Sequence, residues 1–230
     1  MTATPAMSAG DKSPFVRPPT AQEAVLAELR RQLTDGRLPP GTPIRQETLA
    51  ADLGVSRVPV REALKVLQAD RLVEYIPHRG YFVSELSSAD LDEVNRLRRL
   101  LELEAIRESI PRMTTEDLGV LRARFEAIVR ALDGEDVRAV IEANRAFRFG
   151  LMEPCHMPRL MHLIRILEEA TLSHQYLYYS TMSASSRRAT ATAYEQMLVA
   201  ATAGDVESVA ALLLERLNRA RTFVQAHLES

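Results

Sequence analysis

Leu49-Ala-Ala-Asp-Leu-Gly-Val-Ser-Arg-Val-Pro-Val-Arg-Glu-Ala-Leu-Lys-Val-Leu67 reads as two short helices joined by a tight turn. Leu49, Ala50 and Leu53 give the first helix an apolar face, Gly54 can take the left-handed conformation that ends it, and Ser56 stands where the next helix needs a cap. In the second helix Val60, Leu64 and Leu67 fall on one side by their three- and four-residue spacing. Arg57, Arg61 and Lys65, spaced i, i+4 and i+8, then share the opposite side. This is the pattern of a helix-turn-helix, and its cationic second helix suits the major groove of DNA.

The flanks extend this reading. Upstream, residues 1 to 18 are rich in Pro and small polar side chains with no apolar period, which predicts a disordered arm. Thr20 can cap a helix carrying Val25, Leu26, Leu29 and Leu33 on one face, and Gly36 is placed to end it. Ile44 follows the Arg37-Leu-Pro-Pro-Gly41 turn as a short extended residue. Downstream, two segments rich in Val, Ile and aromatics surround Pro77-His-Arg-Gly80 and predict a β-hairpin, the wing of a winged helix. At its tip His78, Arg79 and Gly80 can lay a cation in the neighbouring minor groove, where glycine allows close backbone approach. The alternative is a solvated turn.

From Ser88 onward the chain shows only long apolar periods with short polar breaks. These predict helices over 88–110, 115–132, 135–153, 157–181, 186–203 and 205–228. The expected fold is therefore mainly α. An N-terminal winged helix-turn-helix (19–84) with a small β-hairpin wing precedes an all-α six-helix bundle (85–230) with room for a cavity.

Composition is consistent with this and narrows the alternatives. The 230 residues are 46% hydrophobic, enough for real cores, and the net charge of -2 argues neither for nor against nucleic acid. Phosphate contacts depend on a local patch rather than on the sum, which is why the face of Arg57, Arg61 and Lys65 matters. A single cysteine, Cys155, cannot form an internal disulfide, and no apolar run reaches the length of a membrane span; both point to a cytoplasmic protein without membrane partners. Cys155-His156 has no orienting acid or oxyanion donors beside it, so no enzyme is expected. The five histidines, at 78, 156, 162, 174 and 227, have no metal-binding spacing.

The stretch Leu38-Pro-Pro-Gly41, the helix-turn-helix through Leu64, Arg71-Leu-Val73 and Arg79-Gly80 carry a resemblance. The chain resembles the GntR family of bacterial transcription regulators, in the FadR-like branch with an FCD ligand-binding domain, from about Thr20 to Leu228. The resemblance implies that Ser56, Arg57 and Arg61 meet DNA and that Gly80 lies at the wing tip. Val58 departs from the family's usual Thr and removes a hydroxyl that could donate to a phosphate. A purely structural alternative has one of the arginines paired internally, for instance with Glu62.

FCD domains generally hold a divalent metal through an Asp, a His four residues later and two further His. By the resemblance these positions carry Asn144, Arg148, Gln196 and Arg216 here. Arginine stays protonated and asks for an anion, and amides bind transition metals poorly, so no metal or other cofactor is expected. Arg148 and Arg216 can instead pair directly with a carboxylate or phosphate. Arg98 matches a position where the family commonly has arginine and can reach the cavity. Tyr176, Tyr178 and Tyr179 fall on a helix whose equivalents line the pocket in relatives, two of the three being expected as ordinary packing. The competing possibilities are that Arg98 pairs with Glu102 along its helix, and that Arg148 and Arg216 pair with Glu142, Glu195 or Glu215.

The expected function is a DNA-binding transcriptional regulator, a repressor that binds a palindromic operator as a homodimer and responds to a small acidic effector, an organic acid, in the helical domain. The rival is a constitutive DNA-binding regulator whose bundle only dimerises.

Overall fold

The computed structural model describes residues 18–85 and 87–228; the expected arm thus lies almost wholly outside the described residues. Helix α1, Ala21–Thr34, starts at a capping box. The Thr20 hydroxyl accepts from the Glu23 N–H, and the Glu23 carboxylate accepts from the Thr20 N–H. Strand β1, Pro43–Ile44, leads to α2, Gln46–Asp52, and α3, Arg57–Ala69. Between them Gly54 takes a φ of +63°, and the N–H groups of Gly54 and Val55 reach back to the carbonyls of Ala51 and Ala50. That is a Schellman stop, open to glycine without the steric cost a Cβ adds.

Strands β2, Val73–Ile76, and β3, Gly80–Val83, form the wing, and β1 adds to the free edge of β3 to give an antiparallel order β1-β3-β2. Ile44 sits opposite Tyr81 and Val73 opposite Val83. The apolar stripes of α1 and α3 meet over this sheet: Val25, Leu29, Leu33, Val60, Leu64 and Leu67 are all buried.

The remaining described helices are α4, Ser88–Ser109; α5, Thr115–Asp133; α6, Val137–Met152; α7, Pro158–Glu169; α8, Leu172–Ser180; α9, Ala184–Thr202; and α10, Val206–Leu228. They build a second core from residues such as Ile106, Ile128, Phe147, Ile164, Met197 and Leu213. No helix among the described residues is long and apolar enough to cross a membrane.

In one place the periodicity misleads. The single helix expected over 157–181 is two, α7 and α8, so the bundle has seven α-helices among the described residues rather than six. The Thr171 hydroxyl donates to the Glu168 carbonyl at 2.9 Å, supplying a side-chain alternative to the helical ladder. Ala170 packs against the first core. No Gly or Pro marks the break, which is why the sequence does not announce it.

The break places α8 between the two cores. Tyr176 lies against Gly36, where an added Cβ would come within 3.1 Å of the tyrosine ring. Arg138 bridges Asp35 at 3.2 Å, and Arg30 of α1 bridges Glu169 of α7 at 2.9 Å.

Candidate DNA-reading face and arginine-lined cavity

On α3 the residues not used by the core form one exposed arc. Arg57, Arg61 and Lys65 have side chains 69%, 56% and 55% exposed, so each cation is presented to solvent. Arg57 pairs with Glu47 at 2.7 Å, and Glu62 lies between Lys65 at 3.0 Å and Arg61 at 3.6 Å. These partners are themselves exposed, so the pairs are screened by water and cost little to exchange for phosphates or base edges. Ser56 occupies the N-cap position with extended backbone, but its hydroxyl makes no capping bond. The expected cap is therefore positional only, and Ser56 Oγ stays exposed at the start of the helix.

At the wing tip His78 (φ +64°) and Gly80 (φ +92°) both adopt left-handed backbone, and the Arg79 N–H closes the turn on the Ile76 carbonyl. Arg79 lies 4.9 Å over the ring of Phe82 on β3, a cation–π contact within the wing.

The second cluster is enclosed. Arg98 donates to Glu102 at 2.7 Å on α4, and to the Thr171 hydroxyl at the α7–α8 joint. Arg148 of α6, 1% exposed, donates to Glu168 of α7, also 1% exposed. Asn144, one turn before Arg148, spends its amide N–H on the Val140 carbonyl. Half-buried Arg216 of α10 donates through Nε to the Tyr194 hydroxyl at 2.8 Å. Arg98 and Arg216 line a cavity of about 40 Å³ with Asn95, His174, Tyr178 and Tyr179. That volume takes a few waters, so a metabolite-sized guest needs side chains to exchange partners.

Burial opposes the charge of Glu102, yet the surrounding Arg98, Arg148 and Arg216 hold its carboxyl below the usual range. Burial and the neighbouring Arg216 push Arg148 down, with Glu102 pulling it back. Burial pushes the Tyr194 phenol up, keeping it neutral beside Arg216. Several polar atoms here have no partner among the described residues: Arg98 Nη2, Arg148 Nε and Nη1, Glu102 Oε2 and Asn144 Oδ1. Unpaired guanidinium N–H groups at such depth are donors in want of an acceptor.

The arrangement does not fit a divalent cation. Of the positions implied by the resemblance, Asn144, Arg148 and Arg216 converge on this region, but two are cations. No group of three or more potential metal ligands occurs among the described residues.

Gln196 does not join the cluster: it is on the solvent side of α9, while Tyr194 is buried in its place against Phe147 and Arg216. Tyr176 also departs, facing Gly36 across the domain contact; Tyr178 and Tyr179 face the cavity. Arg98 both pairs with Glu102 and lines the cavity, so the two alternatives for it coincide. The acids considered for Arg148, at 142, 195 and 215, are all exposed, and its partner is Glu168. Glu168 continues the buried stripe Leu160, Ile164 at four-residue spacing. An acid on an apolar face demands a buried cation, and that was the available clue.

Comparison with known proteins places both halves. Residues 21–83 match the model of the bacterial regulatory proteins of the gntR family, and residues 93–229 match the FCD domain. The chain is 31% identical over 188 residues to the HTH-type transcriptional regulator McbR of Escherichia coli K12, covering 82% of this chain and 85% of McbR. The solved structure of E. coli McbR superposes with a TM-score of 0.83 at 29% identity, over 91% of this chain and 99% of that one. A GntR transcriptional regulator from Rhodococcus sp. RHA1 superposes with a TM-score of 0.75 at 25% identity, over 89% and 97%. With a helix-turn-helix that presents exposed cations and an all-helical partner domain, the chain belongs to the GntR family of bacterial regulators with an FCD domain, and is a DNA-binding transcriptional regulator rather than an enzyme.

Proposed function

We propose that this regulator is a repressor that binds a palindromic operator as a homodimer, and that a small acidic molecule held by Arg98, Arg148 and Arg216 without a metal changes its affinity for DNA. The observation that carries the effector reading is the set of buried guanidinium N–H groups left without acceptors: Nη2 of Arg98, which lines the cavity, and Nε and Nη1 of Arg148, which is buried in the bundle and does not line it. A carboxylate or phosphate satisfies them with charge-assisted bonds. Asn144 contributes its free Oδ1 to the same region, and Gln196 and Tyr176 are left out. One reading helix per chain, and half-sites a helical turn apart, support the dimer and the palindrome. On α3, Ser56, Arg57, Arg61 and Lys65 make the DNA contacts, with His78, Arg79 and Gly80 of the wing in the adjoining minor groove.

One observation favours the rival in which the bundle serves only to dimerise: the cavity is small, and Arg98 and Arg148 already have internal acidic partners. Thermal-shift titration against a panel of carboxylates and phosphates separates the two. A rise in Tm with one chemical class, abolished in Arg148→Gln, supports the sensor. No rise with any of them supports the dimeriser.

A further inference from the structure

Six charged side chains run in strict alternation from the buried Arg148 to the reading helix. Arg148 contacts Glu168. Glu168 also meets Arg145 at 3.3 Å, and Arg145 meets Glu169 at 3.7 Å. Glu169 meets Arg30 at 2.9 Å, and Arg30 meets Asp70 at 2.9 Å. Asp70 is the C-cap of α3, so the last link is the end of the helix that carries Arg57, Arg61 and Lys65. Every interior member is shared between two opposite charges, and one link, Glu169 to Arg30, crosses the domain boundary.

We propose that Glu168 is an internal stand-in for the effector's anionic group, and that its displacement from Arg148 is passed through Arg145, Glu169 and Arg30 to the end of α3. The proposal rests on reading the arginine cavity as the effector site. Its physical basis is that a buried carboxylate cannot be left unpaired. When an anionic guest takes Arg148, Glu168 has only Arg145 to turn to. Arg145, drawn fully to Glu168, loosens its hold on Glu169, and Glu169 then competes harder with Asp70 for Arg30. The guest thus favours a pairing pattern that differs from the empty one at α3, which is the differential interaction any coupling needs. The α7–α8 joint lies within this path, since Thr171 accepts from Arg98 and Ala170 packs on the DNA-binding core.

The test uses the full-length protein and an operator duplex selected by the wild type from random-sequence DNA. Without any effector, Glu168→Gln leaves Arg145 wholly to Glu169, the reverse of the displaced state, and is expected to change operator Kd about fivefold or more in the sense opposite to a guest. Glu215→Gln, in an exposed pair with Arg219, leaves it unchanged. Succinate, citrate and inorganic phosphate serve as probes of the site. With a probe that raises the wild-type Tm, Glu169→Gln keeps that rise but loses most of the probe's effect on operator Kd. A folded Glu168→Gln with wild-type operator affinity overturns the proposal. So does a Glu169→Gln variant whose DNA affinity still responds fully to the probe, an outcome that leaves the site reading standing. If no probe stabilises the wild type, the site reading falls, while the Glu168→Gln measurement still decides the relay. Should Glu168→Gln lose its far-UV helix signal, half-exposed Arg30→Gln, which takes the cation from Asp70 as the guest does, replaces it, with a change in Kd of about fivefold or more in the guest's direction expected and an unchanged Kd overturning the idea.

A separate observation concerns specificity. Val58 is 58% exposed on the first turn of α3 and belongs to neither core. At 100° per residue it lies about 60° from Arg61 and about 20° from Lys65 around the helix, within the cationic arc. We infer that Val58 reads a thymine methyl in the major groove, the one apolar feature a base edge offers there. Each thymine of the selected operator is replaced singly by uracil. The wild type is expected to lose about fourfold in affinity at one position per half-site, the worth of a buried methyl group. Val58→Ala loses that sensitivity and Val58→Thr keeps it. Equal sensitivity in wild type and Val58→Ala, or none in the wild type, overturns the inference.

Discussion

The reading face of α3 and the arginine cavity both consist of arginines paired with carboxylates, yet they are opposite physical objects. Arg57 and Glu47 form their pair with side chains 69% and 72% exposed, whereas Arg148 and Glu168 form theirs at 1% each. Water already solvates the first pair, so the link contributes little and parts without penalty when DNA arrives. The second pair has surrendered its solvation, so neither member can leave unless another charge replaces it. Each region is therefore suited to a different task. Exposed pairs keep cations available to a polyanion, while a buried pair can part only for a group of matching charge.

The strongest test of this contrast is to truncate one member of each pair. Arg148→Ala leaves Glu168 in the bundle with half its partners and is expected to lower stability by about 3 to 5 kcal/mol, read as a fall in Tm. Arg57→Ala is expected to change stability by no more than about 0.5 kcal/mol. Similar stability losses in the two variants would dissolve the distinction between them.

DNA affinity should rank the regions the other way. Arg57→Ala or Arg61→Ala is expected to weaken operator binding by about 1 to 3 kcal/mol if the side chain reads a base. If it meets only a phosphate, the loss is uniform across sequences and the salt slope falls by about one. Gel shifts at several salt concentrations distinguish these outcomes.

Acid titration probes the buried side of the contrast through another carboxylate. The Glu102 carboxyl is held below its ordinary value of 4.5 in the folded chain. Its charge therefore supports folding above that value, and the support is lost as pH falls through the lower folded-state value. Glu102→Gln should lose stability at neutral pH and show a shallower decline in Tm below pH 4.5 than the wild type. A decline as steep as the wild type's would show that the three arginines do not favour the ionised carboxylate.

The smallest effect belongs to the end of the reading helix. Arg71 ends α3 with a φ of +58°, a conformation that a Cβ disfavours. Arg71→Gly is expected to raise stability by up to about 1 kcal/mol, measured by urea unfolding, with no change at the cavity.

Much of the reading face was legible from residue order alone, because a helix converts spacing into direction over a few residues. Val60, Leu64 and Leu67 fix which side is buried, and Arg57, Arg61 and Lys65 fall on the other. Gly54 and Thr20 announce their helix ends through chemistry within three residues. The cavity was legible only in part. Its arginines could be found, but the resemblance points to Gln196 as a lining residue where Tyr194, two positions earlier, is buried. On a helix an offset of two turns a side chain to the far face.

Residue order alone thus settles the local geometry: the helix-turn-helix, the wing, the cationic arc and the helical character of the second half. Packing settles which charges meet. Glu168 reaches Arg148 from 20 residues away, Arg216 reaches Tyr194 from 22, and Arg30 reaches Asp70 from 40. Packing also settles that the helix breaks at Thr171, setting α8 between the two cores. The difference is one of range. Backbone periodicity and capping act over one or two turns, whereas a buried charge finds its partner wherever packing brings one, and that depends on how whole helices lie together.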